Sequence, residues 1–245
     1  MISRDTIRQS FNKYTGYDIV RCAGQHTLRT HLSALFRKYE IADVIDVGAN
    51  EGQFGSMIRD LGFAGKIYSF EPVLEAYAKL SNASARDRDW RVFNFALGSA
   101  EGNAEINVSG FTSFSSLLKL TDYAVNRWED SKVSKTESIR VRTLDTCVNE
   151  GLIELSANSF LKMDTQGYDL EVFKGARGTL RNIKCMLSEI SLIPVYENMP
   201  HYVDSISLFE EHGFRVSGLY PITRNKDMSL NEMDCLLVNV AGNGA

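Results

Sequence analysis

Asp43-Val44-Ile45-Asp46-Val47-Gly48-Ala49-Asn50-Glu51-Gly52 is the stretch on which the reading of the fold turns. Its first half is a short β-branched run that reads as a strand, and its second half is a glycine-bearing turn. Phe54, Met57, Ile58 and Leu61 follow at helical spacing. The unit is strand, glycine turn, helix, which opens a βα repeat with a parallel sheet.

The repeat continues outward from there. Lys66–Phe70 reads as a second strand, Leu74, Tyr77 and Ala78 as one face of a second helix, and Arg91–Leu97 as a third strand. After residue 158 come a strand at Ser159–Met163, a helix from Leu170 to Leu180, a strand at Cys185–Ile190 and a helix from about Val203 to His212. The last two strands, Phe214–Leu219 and Asp234–Val240, have no helical pattern between them, so they read as an antiparallel pair.

Two segments stand outside the alternation. In the first forty residues Leu28, Leu32, Leu35, Phe36 and Tyr39 share a helical face, with Thr27 placed to cap it. Residues 98–158 hold two alternating stretches, Ala104–Val108 and Ser138–Arg142, around a Ser-rich loop beginning Phe111-Thr112-Ser113. The expected fold is α/β and Rossmann-like, with seven strands, mostly parallel, the last reversed, and helices on both faces. Residues 1–42 are expected as a helical extension and 43–245 as the main domain. An extra β-hairpin falls within 98–158, where a long connection suits an acceptor-site loop.

Composition narrows the partners. The formal net charge is −4 and no Lys/Arg run stands out. That gives no basic footprint for a phosphate backbone, so no nucleic-acid partner is expected. No run of about 18 apolar residues marks a membrane span. Met1-Ile2-Ser3-Arg4-Asp5 lacks the order of a signal peptide. Cys22, Cys147, Cys185 and Cys235 show no CxxC spacing and read as small buried side chains in a reducing, cytoplasmic setting. A homodimer is allowed.

Ligands of open parallel sheets bind beyond the carboxyl ends of the strands. Gly48 there permits a sharp turn and close approach of backbone to ligand, and Gly52 lets the next helix pack on the sheet. Glu71, ending the second strand, can accept from both hydroxyls of an adenosine ribose. A dinucleotide fingerprint needs a glycine where this chain has Asn50, and Glu51 adds a like charge beside a pyrophosphate. S-adenosylmethionine carries no phosphate and is cationic at sulfonium and ammonium, so Asp46 and Glu51 suit it, and Asp46 could accept from the ammonium.

These residues resemble the FkbM family of class I methyltransferases. The likeness runs through Val44–Gly52, Ser69-Phe70-Glu71-Pro72, Ala96-Leu97-Gly98, Val141–Asp145, Leu161–Asp169, Phe173–Ala176, Gly213-Phe214 and Asp234–Val238, over about residues 42–240. The resemblance implies S-adenosylmethionine as cofactor, with Asp46, Gly48, Asn50, Gly52, Phe54, Glu71, Pro72, Ala96, Leu97 and Asp164 about it. It also implies methyl transfer to a hydroxyl of a sugar, glycolipid, polysaccharide or natural product. Gln166 departs from the family, where an acid often precedes the glycine.

For the chemistry, Asp164 at the end of its strand could orient an acceptor, take its proton, hold a divalent cation or cap the next helix. Glu189, a carboxylate in an apolar strand, could join Asp164 in binding Mg²⁺. His201 has the reference pKa of a general base, but it also sits where a helix would start. His26 and His31 could contribute if the N-terminal segment covers the cleft, and His212 sits where a helix ends. Tyr168, Tyr196, Tyr202 and Phe111 could line an acceptor pocket. The rivals are an NAD(P)-dependent oxidoreductase or epimerase, and a non-catalytic binding subunit that keeps the fold.

Overall fold

The computed structural model describes residues 11–16, 27–110, 114–128 and 132–241, so Cys22, His26 and Phe111 lie outside the described residues. The main sheet contains β1 (Asp43–Val47), β2 (Lys66–Phe70), β3 (Trp90–Phe93), β7 (Ser159–Met163), β8 (Ile183–Ser191), β9 (Phe214–Arg224) and β10 (Leu230–Asn239). Their order is β3-β2-β1-β7-β8-β10-β9. All neighbours from β3 to β8 are parallel, and β10 runs against both β8 and β9. The expected seven strands with a reversed last strand are therefore observed. Strand order turns around between β1 and β7, and the switch point opens its crevice at their carboxyl ends.

Every residue of β1 is buried, as a central strand covered on both faces requires. Ile45 and Val47 face a core with Phe70, Leu161, Met163, Phe173 and Phe214. Val44 faces the opposite layer with Ile58, Phe160, Leu187 and Leu236. The expected first helix is α1 (Leu28–Lys38), capped by the Thr27 side chain. Its Leu32 and Leu35 pack into the same layer as Val44, so this part of the N-terminal extension shares the core of the main sheet.

Helix α2 (Gln53–Asp60) follows the glycine turn, and α3 (Leu74–Ser84) follows β2. The Trp90 ring fills the space beside both Gly52 and Gly55, where a Cβ would meet it. Gly52 thus serves the close packing expected of it, and Gly55 shares the task.

Three readings need correction. The third strand is two: the chain leaves the main sheet after Phe93, and Ala96–Leu97 forms β4 in a second sheet with β5 (Gly102–Ser109) and β6 (Val133–Arg142), in the order β4-β6-β5. The cause is Asn94, whose amide donates to the Glu71 and Pro72 carbonyls and bends the chain there. The expected hairpin is present as β5 (Gly102–Ser109) against β6 (Val133–Arg142). The 98–158 segment also carries two unexpected short helices, α4 (Asp122–Arg127) between the hairpin strands and α5 (Leu144–Asn149) after them, capped by Thr121 and Thr143. Finally, the helix expected over 170–180 is only α6 (Asp169–Lys174). The Asp145 carboxylate takes the amides of Gly178 and Thr179 and the Thr179 hydroxyl, which turns the chain before a 3-10 segment at Leu180–Asn182. Helix α7 (Tyr202–Glu211) agrees with its expectation within a residue at each end.

Candidate functional site

A solvent-open cleft of about 690 Å³, part of that volume being open solvent, lies at the switch point. Gly48 and Asn50 from the β1 turn, Glu71 and Pro72 from the end of β2, and Ala96 and Leu97 of β4 all line it. Asp164, Gln166 and Tyr168 from the end of β7 and Ile106, Ser115, Ser116 and Leu117 from the insert complete the wall. No Lys or Arg is among these lining residues.

The turn has a specific reason for glycine. Gly48 has φ +73, and a Cβ there would run into the backbone carbonyl of Asp164. Its smallness therefore serves the approach of β1 to β7 as well as any ligand. Asn50 also adopts positive φ, at +47. Its amide donates to Glu71 Oε2 at 2.9 Å, and the Val73 amide donates to Oε1 at 2.8 Å. Glu71 is only 6% exposed. Burial pushes its carboxyl up to about 7, against the two amide hydrogen bonds, which pull it down. The carboxylate is thus held in place at the cleft wall with one adjustable proton.

Asp46 takes a different position from the one expected. Its side chain is fully buried and it is not among the residues lining the cleft. Oδ2 accepts from Ser69 Oγ at 3.1 Å, and Ser69 in turn accepts from Trp90 Nε1 at 2.9 Å. Oδ1 lies 3.1 Å from Lys162 Nζ. Lys162 donates to the Gly48 carbonyl at 2.9 Å and lies 3.4 Å from Asp164 Oδ2. Burial alone would lower the Lys162 pKa, but Asp46 and Asp164 raise it overall and keep it charged. Asp46 therefore acts on the turn through Lys162. Lys162 was missed in the sequence reading, although a lysine inside the apolar strand Phe160-Leu161-Lys162-Met163 was a visible signal.

The remaining expected residues divide clearly. Gly52 packs on Trp90. Phe54 lies over Lys162 at 5.7 Å and lines an adjoining cavity with Leu28, Gln53, Asp164 and Asp234. Asp164, whose side chain is 37% exposed, borders both spaces. Glu189 lies beside it on β8, opposite Asp234 of β10. Burial, reinforced by Asp164, Glu232, Asp169 and Asp234, raises the Glu189 pKa well above the usual carboxylate range. Among the described residues no group of three or more His, Cys, Asp or Glu side chains could hold a metal ion, so the Mg²⁺ pairing of Asp164 with Glu189 finds no support.

His201 is exposed and caps α7, its Nδ1 accepting from the Val203 amide at 3.4 Å. It is not brought to the cleft. His212 ends the same helix, as expected, with Nδ1 2.9 Å from the Leu208 carbonyl. His31 pairs with Tyr220 and Ser217 on β9, fastening α1 to the sheet edge. Of the tyrosines, Tyr168 lines the cleft and Tyr196 is buried behind it, donating to Gln166 Oε1 at 2.8 Å. Tyr202 lies against His201. The Asp169 carboxylate closes the Asp164–Tyr168 turn by accepting from the Thr165 amide and hydroxyl and from Ser188.

Comparison with known proteins adds the following. Among solved structures, an rRNA methylase from Streptococcus thermophilus is similar at 9% identity and TM-score 0.47, over 88% of this chain and 99% of that one. A precorrin-6y C5,15-methyltransferase from Geobacter metallireducens gives 12% identity, 86% of each chain and TM-score 0.44. Aeropyrum pernix fibrillarin, solved with S-adenosyl-L-methionine bound, gives 12% identity, 85% of this chain, 74% of that one and TM-score 0.44. No curated protein sequence matches the chain. The sequence profile described as the methyltransferase FkbM domain matches residues 46–216, which span the turn, Glu71 and the Asp164 rim. The chain belongs to the FkbM family and is an S-adenosylmethionine-dependent methyltransferase.

Proposed function

We propose that this protein methylates a hydroxyl group of a small-molecule or glycan acceptor. The observation that carries the cofactor side is the charge of the cleft: among the described residues its lining offers Glu71 and Asp164 and no Lys or Arg. A pyrophosphate would find no lining cation there, the neighbouring Lys162 being already paired with Asp46 and Asp164, whereas a cationic sulfonium nucleoside meets Asp164 and, above about pH 7, an ionised Glu71. That contrast disfavours the NAD(P) reading on the same sheet.

The residues present fit S-adenosylmethionine. Glu71, pinned by two backbone amides, would accept from the ribose hydroxyls. Phe70, Pro72, Ala96, Leu97 and Ile106 supply apolar walls of the cleft, suited to a flat base. The cofactor, when bound, supplies a methyl group already activated by its sulfonium. The protein must then align the acceptor and manage one proton. Asp164 suits the second task, being partly exposed at the rim, and the hydroxyls of Ser115, Ser116, Thr165 and Tyr168 share the same wall. The acceptor's hydroxyl oxygen would bond to the methyl carbon as that carbon's bond to sulfur breaks and leaves a neutral thioether, and the hydroxyl proton would pass to the Asp164 carboxylate.

The test is transfer of labelled methyl from S-adenosylmethionine to a panel of mono- and oligosaccharides, polyols and phenols, with amines and RNA as contrasts. Label on a hydroxyl acceptor, lost in Asp164→Asn, supports the reading. Transfer confined to amines or RNA overturns it.

A further inference from the structure

Gln166 makes three hydrogen bonds, one within its own turn and two to other segments. Its side-chain nitrogen donates to Asp164 Oδ1 at 3.0 Å, and its side-chain oxygen accepts from the Tyr196 hydroxyl at 2.8 Å. Its backbone carbonyl accepts from Ser116 Oγ of the insert at 2.7 Å. It also holds φ at +55, a conformation that an L-residue other than Asn or Asp rarely adopts unless its surroundings demand it. Gly167 follows, where a Cβ would press on Leu118, Met199 and Tyr196. Leu118, Leu120, Trp128 and Met199 pack with Val195 and Tyr196, so the insert and the loop after β8 form one cap beside the cleft.

The amide has a chemistry that few side chains could replace. It donates to a carboxylate and accepts from a hydroxyl at the same time. The opposite orientation of the amide would set its oxygen against Asp164 and is repelled, so the network fixes the assignment. Asp164 borders two spaces, the cofactor cleft and the cavity shared with Phe54 and Asp234. Gln166 lines the cleft and is not among the residues lining the second cavity. Lys162 holds the other Asp164 oxygen.

We propose that Gln166 is a positioning residue that turns the Asp164 carboxylate toward the cofactor cleft and ties that orientation to the cap. The proposal rests on the reading of the cleft as the S-adenosylmethionine site. A carboxylate held toward the cleft favours a sulfonium over a neutral thioether. The preference, meaning the ratio of affinity for S-adenosylmethionine to that for S-adenosylhomocysteine, should therefore depend on Asp164, and Gln166 should support part of it through Asp164.

The test is calorimetric titration of both ligands into the full chain and its Gln166→Met, Tyr196→Phe, Asp164→Asn and Gln166→Met/Asp164→Asn variants, with thermal unfolding beside each. The preference should fall by about five- to tenfold in Asp164→Asn, and by a smaller factor in the same direction in Gln166→Met. The double variant should fall no further than Asp164→Asn. Tyr196→Phe keeps the ring but removes the hydroxyl that fixes the Gln166 amide, so it should lower the preference in the same direction even if Gln166→Met folds poorly. Equal loss of both ligands, additive losses in the double variant, or an unchanged ratio overturns the positioning role and leaves the cofactor reading standing. A wild-type chain that binds neither overturns both.

Discussion

Glu71 is where the structure makes its sharpest quantitative demand. Its carboxylate is buried at the cleft wall, and its pKa is raised to about 7 by desolvation. Hydrogen bonds from ribose hydroxyls require the ionised form. Cofactor binding should then weaken as protons occupy the site, with an apparent Kd multiplied by one plus the ratio of protonated to ionised carboxyl. That factor is roughly 1.1 at pH 8, 2 at pH 7 and 11 at pH 6. Binding at pH 6 should also release close to one proton, visible as a dependence of the calorimetric enthalpy on the ionisation enthalpy of the buffer. Replacing Glu71 by Ala removes hydrogen bonds to a charged group and should cost about 1.5–3 kcal/mol of affinity at pH 8. The unliganded protein carries the opposite signature. Because the folded-state pKa is raised, the unfolded chain gives up its proton first as pH rises. Stability should therefore fall between about 4.5 and about 7, by on the order of 3 kcal/mol. Glu71→Gln should flatten that fall. A Kd independent of pH from 6 to 8, with no proton release, would refute the reasoning.

Other consequences follow from the same contacts. Lys162→Met leaves Asp46 buried without its cation and should destabilise the fold by about 3–5 kcal/mol in urea denaturation, with most of the loss recovered when Asp46→Asn is added. Gly48→Ala asks for a Cβ where the Asp164 carbonyl lies, at a φ of +73, and should cost at least ~3 kcal/mol by thermal unfolding. His201→Ala should remove only an exposed helix cap, worth about 1 kcal/mol or less, and leave both cofactor affinity and methyl transfer near wild type. Collapse of turnover in that variant would restore His201 as the general base.

The parts of this protein that were legible in its sequence are those set by local pattern. The turn at Gly48–Gly52 and the carboxylate ending β2 sit at short, fixed offsets from strands that alternate with helices, and both stand where expected. The antiparallel last pair was legible because nothing helical separates its strands. What escaped depended on partners distant in sequence. The break after Phe93 needs the carbonyls of Glu71 and Pro72, and the early end of α6 needs Asp145 from another element. The short helices α4 and α5 have six residues each, too few to show a period. Asp46 read as a ligand contact because a strand-end carboxylate is ambiguous until its neighbours are known. Lys162, from a strand more than a hundred positions away, is the neighbour that decides it.

A cleft whose described lining holds Glu71 and Asp164 and no Lys or Arg should accept a cationic sulfonium nucleoside and refuse a dinucleotide. The most direct measurement is calorimetric titration of the wild-type protein at pH 8 with S-adenosylmethionine and, separately, with NAD⁺ and NADP⁺. Saturable binding of S-adenosylmethionine, weakened in Glu71→Ala and absent for the dinucleotides, is the predicted result. Tight binding of NAD⁺ or NADP⁺ with none of S-adenosylmethionine would contradict it.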